Sequence, residues 1–70
     1  MANVEAEMVA NVWKVLVTPG TAVAEGETLV ILESMKMEIP VVAPQGGTVT
    51  AVNVTEGGVV QEGDVIAVVE

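Results

Sequence analysis

The sequence predicts an all-β fold: a small sandwich or flattened barrel built from two copies of a four-strand unit, with approximate two-fold symmetry. Three observations predict it. About half of the residues are apolar (51%), yet Trp13 is the lone aromatic and valine dominates the remainder. β-Branched side chains lose rotamer freedom in helices and pack well on pleated surfaces. The chain also repeats itself: sliding it by 37 residues lays 4–33 over 41–70 with 11 identities in 30 positions. Finally, Gly20 falls on Gly57 and Gly26 on Gly63, between short apolar runs where the backbone must turn and glycine supplies positive φ without steric cost.

Each half reads as a leading strand, a long strand, a short strand and a closing strand. Residues 3–8 lead the first half. The alternation in "VWKVLV" extends that half over 12–18, with Val15 and Val17 toward one core. The Val12 to Val15 spacing breaks strict period two and predicts a bulge or a change of sheet. A turn around Gly20 leads to a short strand at about 22–24, and a turn around Gly26 to a strand over 28–33. The second half follows the same plan, with strands near 37–43, over 48–54, at about 59–61 and over 65–69, and with Val49, Val52 and Val54 facing the core. A four-strand unit is too small to bury its own apolar face, so the two copies stack, which also reduces exposed edges. Residues 1–70 make a single domain with internal repeats 4–33 and 41–70.

Ten acidic residues against Lys14 and Lys36 give a formal net charge of −8. Nucleic acid and anionic lipid are poor partners for such a surface. The charge keeps the protein soluble and steers it toward basic clefts on larger proteins. With no cysteine and no histidine, neither a disulfide nor a metal staple is available, and apolar packing must hold the fold. The longest apolar run, Val65 to Val69, is far short of the roughly 20 residues that span a bilayer. The segment "MANVEAEM" has neither the basic nor the apolar part of an export signal. The expected compartment is the cytoplasm. The acidic pairs Glu25/Glu27 and Glu62/Asp64 flank turn glycines in both repeats and read as solvated loop residues. Catalytic residues and a metal site are therefore not expected.

Between the halves lies "SMKMEIP", residues 34–40, which has no counterpart in the repeat because the second copy ends at Glu70. Its place between two strands makes it a hairpin turn with Lys36 at or next to the tip. A surface lysine ordinarily does nothing but stay hydrated, and methionines ordinarily fill cores. Here Met35 and Met37 cannot both point inward from a two-residue turn, so they form an exposed apolar pair beside the amine. Exposed methionine marks a surface that something else grips. A turn lysine framed by adaptable side chains reads as a recognition site for a modifying enzyme. Coupled to a carboxylic acid, its four-methylene stem becomes part of a long tether on a rigid base.

The stretch "ESMKMEIPVVAPQGGTV", with "V..G..V..G..L" before it and "V..G..V..GD.IA.V" after it, resembles the biotinyl/lipoyl attachment domain family over essentially the whole chain. "MKM" at the hairpin is similar to the biotin carboxyl carrier type, whereas lipoyl carriers typically place an acidic residue directly before the lysine, where this chain has Met35. The likeness is especially close to short, stand-alone biotinyl-domain proteins. Two departures stand out: Ser34 replaces the more usual alanine, and "AEMVANV" in the first half replaces an "AP..G.V" pattern that the second half keeps at Ala43, Pro44, Gly47 and Val49.

The resemblance implies two four-stranded antiparallel sheets, with the chain ends close together and away from the hairpin. It implies covalent biotin in amide linkage to the ε-amine of Lys36, with Met35 and Met37 as flanking recognition residues and Glu33, Ser34 and Glu38 as further contacts for the ligase. The partners implied are a biotin protein ligase, a biotin carboxylase and a carboxyltransferase, between which a non-catalytic, monomeric carrier swings its arm. Two other readings stay open at this point: a lipoyl-type acyl carrier, and an unmodified interaction module.

Overall fold

A computed structural model describes all residues, Met1 to Glu70, as eight strands without a helix. They are β1 (Ala2–Glu5), β2 (Ala10–Val15), β3 (Ala22–Val23), β4 (Thr28–Ser34), β5 (Met37–Val42), β6 (Gly47–Val52), β7 (Val59–Val60) and β8 (Val65–Val69). One antiparallel sheet has the order β1-β8-β6-β3, the other β5-β4-β2-β7. The all-β reading and the two four-stranded sheets hold.

The two halves do not stack as intact units. Each sheet takes two strands from each half, and advancing every strand by four in chain order turns one sheet into the other. Hydrogen bonds outside the ladders obey the same exchange. The Gly26 N–H donates to the Ala43 carbonyl (2.8 Å) and the Gly63 N–H to the Ala6 carbonyl (2.9 Å); Gly20 donates to Val49 (2.7 Å) and Gly57 to Val12 (2.8 Å). Interleaving follows from size: strands of two to seven residues bury a face only when neighbours from the other half complete the sheet.

Valine, leucine, isoleucine and alanine alone make up the buried core, and Leu29, Val30, Val49, Ile66, Ala67 and Val69 are fully enclosed. The expected irregularity in the second strand is a bulge: the β2–β4 register shifts between Val12 and Lys14, so Val12 faces the core while Trp13 and Lys14 both face solvent. β2 runs over 10–15 and not 12–18: the Leu16 N–H still donates to Leu29 of β4, but Thr18 starts a turn. β1 likewise stops at Glu5, where its register shifts and Ala6 exchanges hydrogen bonds with the 63–64 turn.

Four tight turns share one construction. In 18–21, 24–27, 55–58 and 61–64 the fourth residue donates back to the first (3.0 Å in each), and the third is Gly20, Gly26, Gly57 or Gly63, with φ between 85° and 99°. That is the type II pattern, in which the third residue must be left-handed. The Thr21 hydroxyl, the Glu27 carboxylate and the Asp64 carboxylate each accept the N–H of their turn's first residue, Thr18, Ala24 and Gln61 (3.1, 3.1 and 2.8 Å). Glu27 and Asp64 are thus turn-binding residues, which composition could not reveal.

The molecule measures 31 × 17 × 17 Å. β5 leaves the 35–36 turn and carries the chain to the opposite end, where Gly47 packs directly against the Glu70 carbonyl and Ala2 pairs with Val69. Both chain ends therefore lie away from that turn.

Candidate functional site

β4 and β5 form the hairpin, and their alternation decides what its tip presents. Leu32 pairs with Ile39 and Val30 with Val41 toward the core, so Glu33 and Glu38, directly opposite one another, face solvent. A slip of one residue would reverse every side chain, and the buried Leu32 forbids it. Ser34 and Met37 are the last pair, leaving Met35 and Lys36 as the only two turn residues.

Both have positive φ, 52° for Met35 and 65° for Lys36, and they are the only non-glycine residues in the chain that do. Two left-handed central residues define the type I′ turn, whose twist matches that of the flanking strands and which ordinarily uses Asn-Gly. Left-handed geometry costs a residue with a Cβ about 1–2 kcal/mol. The hairpin bears this cost at the two positions that present the amine.

Lys36 is exposed, and none of the side-chain hydrogen bonds involves it. Met35 is 90% and Met37 61% exposed, with Ser34 half-buried between the turn and the core. The amine is thus at the end of a rigid ladder, open to an incoming acyl group, with Met35 and Met37 beside it in sequence and the Glu33–Glu38 pair one ladder step below the last pair. Chemically this suits attachment of a carboxylic acid through an amide. No group of acidic residues is arranged to hold a metal.

Glu33, Ser34, Met35, Lys36, Met37 and Glu38 are all brought to the tip. Lys14, the other lysine, lies on the outer face of β2 with its ammonium 5.6 Å from the centre of the Trp13 ring. Sequence reasoning missed the neighbours that strand pairing adds: Asn11 lies opposite Glu33, and Val59 of β7, 62% exposed, opposite Asn11. Pairing between residues so far apart leaves no local signal.

A family model described as biotin-requiring enzyme matches residues 2–69. The biotinylated protein TB7.3 homolog of Mycobacterium leprae is 52% identical over 67 residues, spanning 96% of this chain and 94% of its own length. The biotin carboxyl carrier protein of Streptococcus mutans is 48% identical over 59 residues, 84% of this chain and 45% of its own. Among solved structures, the urea carboxylase of Kluyveromyces lactis superimposes with a TM-score of 0.91 at 30% identity, covering 99% of this chain and 6% of its own.

Proposed function

The chain belongs to the biotin/lipoyl attachment domain family, and from that premise we propose that it is a biotin carboxyl carrier whose Lys36 bears the cofactor. The observation that carries this reading is the exposed amine at the second position of a two-residue turn, between Met35 and Met37. In it, residues 1–70 act as one biotinyl domain, and Lys36 holds biotin through an amide. When attached, biotin supplies a ring nitrogen that takes up and gives up a carboxyl group, chemistry that belongs to the cofactor and the partner enzymes. The protein itself contributes a fixed root for the arm and a local search at high effective concentration.

Each tip residue has a part in this reading. Met35 and Met37 offer the ligase adaptable apolar contacts, Ser34 keeps the base of the turn small, and Glu33 and Glu38 draw a basic ligase cleft toward the amine. Acylation removes the Lys36 charge, taking the formal net from −8 to −9 and strengthening attraction to cationic sites. The carrier works as a monomer in the cytoplasm, shuttling between a biotin carboxylase and a carboxyltransferase and catalysing nothing itself.

Co-expression with a biotin ligase in excess biotin, followed by intact mass and peptide mapping, tests the proposal. One biotinyl group on Lys36 and none on Lys14, lost in Lys36→Arg, is expected. An unmodified chain, or a lipoyl group on Lys36, would overturn it.

A further inference from the structure

Methionine is absent from the core of this protein. Every buried side chain is valine, leucine, isoleucine or alanine, whereas all four methionines are exposed: Met35 at 90%, Met1 at 84%, Met37 at 61% and Met8 at 40%. The chain has no cysteine, histidine or tyrosine, so a mild two-electron oxidant such as hydrogen peroxide meets four open thioethers and no competing thiol. Two of those four flank Lys36, one at the first position of the turn and one at the first residue of β5. Packing thereby separates regulation from damage. Sulfoxides can form without altering the interior of the barrel, and half of them form beside the amine.

We infer that Met35 and Met37 are an oxidation site that controls acylation: their sulfoxides make Lys36 a poor substrate for the ligase, and reduction restores it. The inference rests on Lys36 being the biotinylated residue and adds regulation to that site. A lone pair on the thioether sulfur attacks one oxygen of the peroxide, the O–O bond breaks and an S–O bond forms. Sulfur is oxidised by two electrons, and the peroxide is reduced to water. In the reverse step a methionine sulfoxide reductase takes the oxygen off as water while two thiols become a disulfide. The sulfoxide is polar and chiral where methionine was apolar and adaptable. A ligase that grips the tip through apolar contacts must then bury a sulfinyl oxygen, which is unfavourable where no donor meets it. The turn itself keeps its shape, because Leu32, Ile39 and Val41 anchor the β4–β5 register below it and neither sulfur takes part. Met1 and Met8 have no such place. Met1 adjoins Ala2, whose pairing with Val69 lies at the end away from the turn, and Met8 sits in the β1–β2 connection.

The test treats the unacylated protein with hydrogen peroxide, removes the excess with catalase, and then measures the initial rate of biotinylation by purified biotin ligase. Acylation comes second because biotin carries a thioether of its own. Peptide mapping is expected to find sulfoxide at Met35 and Met37, with the rate lowered about tenfold or more and the melting temperature unchanged. Methionine sulfoxide reductases of both stereospecificities, with dithiothreitol, should return the rate to that of untreated protein. Met8→Leu should remain sensitive to peroxide. In Met35→Leu combined with Met37→Leu, the treated and untreated rates should be equal, whatever the rate itself has become. An undiminished rate with both sulfoxides present would overturn the inference. So would a loss that persists in the double variant, one that the reductases do not reverse, or one that comes with a lowered melting temperature. Failure of the untreated protein to accept biotin would instead overturn the carrier reading.

Discussion

Five tight turns in this protein need left-handed backbone, and they meet that need in opposite ways. Four place Gly20, Gly26, Gly57 or Gly63 at the left-handed position, where the missing Cβ makes it cost-free. The fifth uses Met35 and Lys36, and accepts the strain twice. Since the chain has glycine wherever a turn serves only the fold, the residues at the fifth were chosen for what they present. Strained backbone held in place by surrounding structure concentrates at functional sites, and here the β4–β5 ladder with its buried Leu32 does the holding.

Replacing glycine in the four scaffold turns should give the largest effects. Gly20→Val, Gly26→Val, Gly57→Val and Gly63→Val are each expected to destabilise by about 1–2 kcal/mol in chemical denaturation, although an added Cβ meets no neighbour at any of the four. Thr55→Val, in the same loops, should be near neutral. Equal stability of all these variants would erase the distinction between the two kinds of turn. Somewhat smaller are Glu27→Ala and Asp64→Ala. Each removes a carboxylate that accepts a turn N–H, and a loss of about 0.5–1.5 kcal/mol is expected from urea midpoints. Smallest, and opposite in sign, is Glu33→Thr. It relieves the like-charge pair opposite Glu38 and should stabilise the hairpin by a few tenths, about 0.2–0.5 kcal/mol, while slowing acylation by the ligase.

Much of this contrast was legible in the sequence, because it is written in local terms. Gly20/Gly57 and Gly26/Gly63 announced the turns through the repeat, "SMKMEIP" stood out as the piece without a counterpart, and the Val12–Val15 spacing foretold the bulge. What stayed hidden depends on partners distant in the chain. The interleaving of halves follows from β1–β8 and β2–β7 pairing, in which Ala2 meets Val69 and Asn11 meets Val59. No periodicity within either strand encodes that choice. The roles of Glu27 and Asp64 were hidden for another reason: an acidic residue beside a turn glycine looks the same whether its carboxylate is solvated or bound to backbone.

The claim that the lysine turn is kept against backbone preference is tested most directly by building the turn the backbone prefers. Met35→Asn combined with Lys36→Gly gives the favoured type I′ pair at an unchanged register. The free energy of unfolding should rise by about 1 kcal/mol or more, with the capacity for biotinylation lost completely. A double variant less stable than the natural protein would contradict the account, showing that Met35 and Lys36 stabilise the hairpin and are there for the fold.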